Sequence, residues 1–446
     1  MGWGMRETLV KTEEFKDSPV GRIPKDWEVS SLASLTQYIT YGFTNPMPTT
    51  KDGPWMITAF DIADGKICYG QARHTSEKAY KNDLTQKSKP NLGDILITKD
   101  GTLGRIAVVD RTGICINQSV ACLRPLLDTD VRFLVHYLRS DIGQERMLAD
   151  AGGSTIKHIY ITKLAQMEVP VPPREERIRI SDILDTIDEA IAHTSSLIAK
   201  LKQMKAGLLH DLLTRGLDEN GELRDAIAHP EQFKPSPLGQ IPKDWEVCQL
   251  SDFYAVPARN GLYKPAKFYG RGVLMIHMPQ MFRGLTIDVS DAARVDVDPS
   301  ELERFSLAAG DLVFARRSLN LEGAGRCSLV PAVSEPTTFE SSIIRVRLST
   351  DKLRPIFANY FLNSETGFRL RLPLIRQVAV SGVSSEDIAS IPVPCPPPEE
   401  QDAIIKIIDT HNTRIRAEEA YRDKLKLQKQ GLMHDLLTGK VRVKNA

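Results

Sequence analysis

Six cysteines in 446 residues (Cys68, Cys115, Cys122, Cys248, Cys327 and Cys395) lie far apart and form no Cys-x-x-Cys pair. That argues against a zinc ribbon, a redox pair or a secreted disulfide scaffold and leaves reduced, mostly buried thiols. Apolar runs are broken by charge well before the roughly 20 residues a bilayer span needs, and residues 1–11 lack the apolar stretch of a signal peptide. A cytoplasmic chain with no membrane partner is expected. There is little excess charge of either sign: Lys+Arg 58 against Asp+Glu 57 leaves +1, so any nucleic-acid surface must be a local patch. Absent as well are Gly-x-x-x-x-Gly-Lys-Ser/Thr, Gly-x-Gly-x-x-Gly, Gly-x-Ser-x-Gly, His-Glu-x-x-His and the Asn-Pro-Pro-aromatic tetrapeptide of adenine methyltransferases. Gly323-Ala324-Gly325-Arg326 is only a fragment of a phosphate loop. No catalytic residue, metal site or cofactor is therefore expected.

What the chain does have is itself, written twice. Ser18-Pro19-Val20-Gly21-Arg22-Ile23-Pro24-Lys25-Asp26-Trp27-Glu28 returns as Ser236-Pro237-Leu238-Gly239-Gln240-Ile241-Pro242-Lys243-Asp244-Trp245-Glu246, an offset of 218 residues (236 − 18). Val169-Pro170-Val171-Pro172-Pro173-Arg174-Glu175-Glu176 answers Val393-Pro394-Cys395-Pro396-Pro397-Pro398-Glu399-Glu400, now at 224 (393 − 169). The same offset carries Gly207-Leu208-Leu209-His210-Asp211-Leu212-Leu213-Thr214 onto Gly431-Leu432-Met433-His434-Asp435-Leu436-Leu437-Thr438. Between these frames the two copies share little apart from Gly93-Asp94 and Gly310-Asp311, each before an apolar run. A duplicated unit with a common frame and a divergent interior is the simplest reading.

After each Pro-rich joint a long helix is predicted. Ile180, Leu184, Ile187, Ile191, Thr194, Ile198 and Leu201 recur at steps of four and three, a heptad seam, with Glu175 and Glu176 suiting the positive helix start. From Glu175 to Leu212 is 38 residues (212 − 175 + 1), about 57 Å at ~1.5 Å per residue. The second seam, Ile404, Ile408, Ile415 and Leu425, is interrupted by His411, Glu418 and Arg422 and needs the first as its partner. Two equal helices separated by a globular insert pair most simply antiparallel. Gly207 and Gly431 point to a close helix crossing or a local break. In the variable regions, residues 94–98 and 311–315 read as buried strands, and residues 131–146 and 353–371 have helical spacing.

The order Ile-Pro-x-x-Trp-Glu, Gly-Asp before a strand, and Val-Pro-x-Pro-Pro-x-Glu-Glu opening a helix that ends in Leu-Leu-Thr, all used twice, resembles the specificity subunit of type I restriction-modification systems. The resemblance implies an α+β chain with two α/β target recognition domains, separated by two long helices that form an antiparallel coiled coil with a pseudo-twofold internal repeat. On that plan residues 1–165 hold the N-terminal segment and first recognition domain, 166–214 the first spacer helix, 215–238 a linker, 239–390 the second recognition domain, and 391–446 the second helix and tail. It implies a non-catalytic DNA-reading and assembly subunit. Its partners would be double-stranded DNA with a bipartite site and two modification (methyltransferase) subunits, with room for restriction subunits to join. The rival is a DNA endonuclease or methyltransferase whose site is too scattered to see. One departure is Arg177, where Gln401 follows Glu400 in the second copy.

Candidate DNA contacts follow from side-chain chemistry. In the first region Lys99, Thr102 and Arg105 sit on a Gly-containing turn between apolar runs; Tyr41, Phe43 and Asn45 follow the Trp-Glu motif, and Lys157 precedes His158. In the second, Arg316, Arg317 and Asn320 carry the groups that bond guanine and adenine edges, and Asn260, Tyr263 and Lys264 occupy the place of Tyr41 to Asn45. Arg369, Arg371 and Arg376 are secondary candidates. Trp27 and Trp245 are expected in the core, and His210 and His434 to interact with free carbonyls at helix ends.

Overall fold

The computed structural model describes residues 8–149, 157–377 and 380–444. The chain divides into two compact units, Met1–Ser196 with Glu419–Ala446, and Leu197–Glu418.

In the first unit the apolar run after Gly93-Asp94 becomes the strand Ile95–Thr98, buried at every position. It lies inside an antiparallel four-stranded sheet in the order Ile106–Val108, Ile95–Thr98, Val120–Pro125, Thr36–Tyr41. Its alternate side chains serve two cores: Ile95 and Ile97 face one that also holds Trp27, Leu134 and Leu138, while Leu96 faces another with Ile57 and Ile116. A strand covered on both faces reads as continuous apolar sequence because neither face meets water. A second sheet sets Ile114–Ile116 parallel to Thr50–Ile57. Glu28–Ser31 pairs antiparallel with Glu168–Val171, tying the Trp-Glu segment to the Pro-rich joint, and Thr8–Lys11 pairs with Val441–Lys444.

The second unit repeats this order: Tyr254–Asn260, Ile343–Leu348, Leu312–Ala315, Cys327–Leu329 in one antiparallel sheet, and Thr337–Phe339 parallel to Tyr269–Ile276 in another. Leu312 and Phe314 again face one core, Val313 and Ala315 another. Glu246–Gln249 pairs with Pro392–Cys395. Both units are mixed α+β.

Two readings of local structure are corrected. The helical spacing of 131–146 and 353–371 is divided into Val131–Arg139 and Asp141–Ala149, and into Pro355–Leu362 and Glu365–Arg371. At each break a serine side chain accepts the N–H of the following helix, Ser140 from Gly143 at 3.1 Å and Ser364 from Gly367 at 3.2 Å, so capping ends one helix and starts the next. Gly207 and Gly431 mark neither a close crossing nor a break. The long helices Arg174–Thr214 and Pro398–Leu437 run through them, and an added Cβ at either would meet nothing within 4 Å.

Along those helices Leu184, Ile198, Leu201, Ile404, Ile408, Ile415 and Leu425 are buried, and Ile187 and Ile191 are half-buried. In the first unit Ile180 and Leu184 share a core with Leu436 and Leu437; in the second, Leu212 and Leu213 share one with Ile404 and Ile408. Leu217, just beyond the first helix, is buried in the same core as Trp245.

Candidate nucleic-acid interface

A polar cluster occurs once in each unit. Trp27 and Trp245 are fully buried, and each indole N–H donates to a glutamate at a long-helix start: Glu176 at 3.0 Å and Glu400 at 3.0 Å. An arginine from beyond a helix end completes each cluster. Arg442 makes a fork to Glu176 (2.7 Å twice) and reaches Asp26; Arg224 bonds Glu400 at 2.8 Å and Asp244 at 2.9 Å. The expectation that the two tryptophans pack in the core holds, and the indole N–H explains why a polar aromatic is needed there. The repeated Gly-Asp is equally structural. Asp94 accepts from the Asn91 N–H and pairs with Arg124; Asp311 accepts from the Ala308 N–H and pairs with Arg347. Repetition of Asp and Glu was visible in the sequence, but their arginine partners lie outside the matched frames.

In the first unit, Tyr41 ends its strand with its ring exposed, and Lys87 and Lys99 lie over it at 5.6 and 5.4 Å. Lys99 pairs with Asp100 at 2.9 Å, and Asp100 also meets the His158 ring at 2.6 Å. Burial alone would raise the Asp100 carboxyl, but hydrogen bonds from His158 and Lys99 outweigh it and hold it below the ordinary carboxylate range. Asn45, Thr102, Arg105 and Lys157 are exposed; the Arg105 guanidinium donates to the Ile62 carbonyl at 3.1 Å. Phe43 instead packs against Met56, Leu84 and Cys115.

The second unit presents a different face. Tyr263 is 79% exposed, and Asn260 and Arg317 are exposed beside their strands. Arg317 and Arg376 both pair through the backbone with Gly382, so a small sheet carries two outward arginines. Arg316 is half-buried and bonds the Ser341 carbonyl at 3.3 Å. Asn320 is exposed and its side chain accepts from the Gly323 N–H at 2.9 Å, shaping its turn. Lys264 is committed to Glu301 and lies 4.8 Å over Phe268, and Arg371 is buried on the carbonyls of Leu362 and Glu322. Arg371 is thus removed from the exposed candidates.

The two loops after the Trp-Glu motif share one backbone device. Phe43 bridges Asn117 and Leu262 bridges Glu340, both parallel. A Cβ on the preceding Gly42 or Gly261 would lie 1.8 Å from the Ile116 carbonyl oxygen or 2.2 Å from that of Glu340. Only glycine permits that approach. Among the described residues no group of three or more His, Cys, Asp or Glu is arranged to hold a metal, and no helix is long and apolar enough to cross a membrane.

Sequence comparison matches the family described as "Type I restriction modification DNA specificity domain" over residues 24–203 and again over 242–427. A putative type I restriction enzyme MjaX specificity subunit of Methanocaldococcus jannaschii is 25% identical, over 97% of this chain and 98% of its own. The EcoKI specificity subunit of Escherichia coli is 24% identical, over 87% and 82%. Among solved structures, the S subunit of a type I restriction-modification system from M. genitalium shares the fold with a TM-score of 0.53 at 18% identity, covering 92% of this chain and 96% of that one.

Proposed function

Since the chain belongs to the type I restriction-modification DNA specificity family, we propose that it is the non-catalytic subunit that reads a DNA sequence and assembles methyltransferase subunits around it. The carrying observation is the double family match, once over each half of the chain, on two units with the same strand order and the same Trp-Glu-Arg cluster. A subunit built twice suits a partner present twice, and a DNA site in two parts.

On this reading the two long helices form an antiparallel coiled coil through Leu184, Ile187, Ile191, Ile198 and Leu201 on one side and Ile404, Ile408, Ile415 and Leu425 on the other. The internal repeat is pseudo-twofold. The domain plan is residues 1–165 and 239–390 for recognition, 166–214 and 391–446 for spacing, and 215–238 for linkage. Tyr41, Asn45, Lys99, Thr102, Arg105 and Lys157 face one half-site; Asn260, Tyr263, Arg316, Arg317 and Asn320 face the other. Phe43 and Lys264 brace these loops from behind, which fits their packing. The partners are double-stranded DNA, two modification subunits and, in a restricting complex, restriction subunits, all in the cytoplasm.

The helices then set the spacing of the DNA site. Helices of 41 and 40 residues, about 60 Å at ~1.5 Å per residue, against ~3.4 Å per base pair limit the whole site to about 18 base pairs. Deleting one heptad from both helices should shorten the silent gap by about three base pairs, with little rotation of the seam. Methylation mapping of cells carrying that variant tests this, and an unchanged gap in an active complex would overturn it. The rival enzyme reading is tested by incubating purified chain with DNA, Mg²⁺ and S-adenosylmethionine: turnover without a partner would favour it.

A further inference from the structure

The 224-residue offset places four residues of the second unit, Lys205, Tyr360, Asp409 and Asn412, in the positions of Lys429, His136, Asp185 and Asp188 in the first (429 − 205, 360 − 136, 409 − 185 and 412 − 188). In the first unit the set is closed. Lys429 grips both oxygens of Asp188 at 2.6 and 2.7 Å, and Asp185 meets His136 at 2.7 Å. Only about 160 Å³ remains beside Lys429.

In the second unit the carboxylate that would hold the lysine is an amide. Asp409 is occupied by the Tyr360 hydroxyl at 2.6 Å, and Asn412 donates to that hydroxyl at 3.1 Å. Arg416 stands where the first unit has Ala192. Among the described residues no carboxylate lies within ion-pair distance of Lys205 or Arg416, although both line one cavity of about 550 Å³ with Asp409 and Asn412. That volume suits a small organic molecule. Leu285, Leu329 and Ile356 add apolar lining.

We propose that this cavity binds a small organic phosphate, with the phosphate between Lys205 and Arg416 and the organic body against Leu285, Leu329 and Ile356. With Lys205 and Arg416 against the single carboxylate of Asp409, the lining keeps an excess of positive charge, and a phosphate between the two cations can accept from both. Partial burial, and then Arg416, hold the Lys205 ammonium below its ordinary value, with Asp409 acting in the opposite direction. Tyr360 and Asn412 both donate to one oxygen of Asp409, so its other oxygen can accept from a hydroxyl or amine of the ligand. The inference does not depend on the DNA-reading role, since the cavity belongs wholly to the second unit.

Calorimetric titration of the full chain at constant ionic strength tests it, with inorganic phosphate and adenosine 5′-monophosphate as probes. The wild type should bind the nucleotide more tightly than phosphate alone. Lys205→Met and Arg416→Ala should each weaken binding at least tenfold, and Lys429→Met should leave it unchanged. Asn412→Asp is the most direct variant, because it restores the first unit's carboxylate: it should lose binding while retaining or raising Tm, which separates a closed site from a misfolded one. No heat of binding at 10 mM probe, or binding that survives both Lys205→Met and Arg416→Ala, would overturn the proposal. Displacement of the nucleotide by a short duplex of arbitrary sequence would overturn the small-molecule assignment and give the phosphate to a DNA backbone.

Discussion

The two units treat their repeated residues in opposite ways at two depths. At the helix start the clusters are nearly the same: indole, glutamate, arginine and aspartate, with the glutamate also accepting from the backbone N–H of Val443 in one unit and Leu217 in the other. About three turns further along, His136–Asp185 in one corresponds to Tyr360–Asp409 in the other, and a closed Lys429–Asp188 pair to an open Lys205. A buried charge must be neutralised by its own chain, so the deep cluster tolerates little change. A half-exposed one can leave its partner to solvent or to a ligand.

The largest effect should come from breaking the deep clusters. Arg442→Ala strands Glu176 and Arg224→Ala strands Glu400, each at a cost of about 3–5 kcal/mol. If the units are as alike as their clusters, each variant should lower Tm similarly, and hydrogen exchange should place the loss in the first unit for Arg442 and the second for Arg224. Equal protection of both units in either variant would break the comparison.

A smaller effect separates the two candidate DNA-contacting faces. Arg317→Ala should relax one position of one half-site by about 1–3 kcal/mol, and Arg105→Ala one position of the other, if each reads a base edge. A uniform loss across all sequences, with a shallower salt dependence, would assign these arginines to phosphate instead. Arg316→Ala should do less than Arg317→Ala, because the Ser341 carbonyl already engages its guanidinium. Methylation of a randomised DNA library by complexes assembled with each variant distinguishes these outcomes.

The smallest effect is a pH slope. Burial holds the His136 imidazole below its ordinary value despite Asp185, so the folded ring is neutral where the unfolded one begins to protonate. The unfolded state then binds more protons, and stability contributed by the neutral ring falls as pH drops below about 6.5. His136→Tyr, which installs the second unit's residue, should flatten the dependence of Tm on pH between about 7 and 5.5. An unchanged slope would show that the acid sensitivity lies elsewhere.

Much of this could be read from residue order alone. Strands covered on both faces announce themselves as apolar runs, as at Ile95–Thr98 and Leu312–Ala315, and helices of 41 and 40 residues are marked by proline starts and a heptad seam. The resemblance that led to the family rested on those frame motifs, repeated in order. Periodicity failed at Ser140 and Ser364, because a capping serine does not disturb the apolar spacing on either side of it. It was also silent on which charges are free. Lys99, Lys264 and Arg371 look like Arg105 in one dimension, yet Asp100, Glu301 and buried carbonyls engage the first three while Arg105 stays exposed. Sequence by itself determined the repeat, the strand and helix periods, and the kinds of residue available for contact. Tertiary structure alone decided which arginine meets which carboxylate, since those partners lie up to 416 residues apart, as Arg442 and Asp26 do, and their pairing is a property of packing that no local pattern encodes.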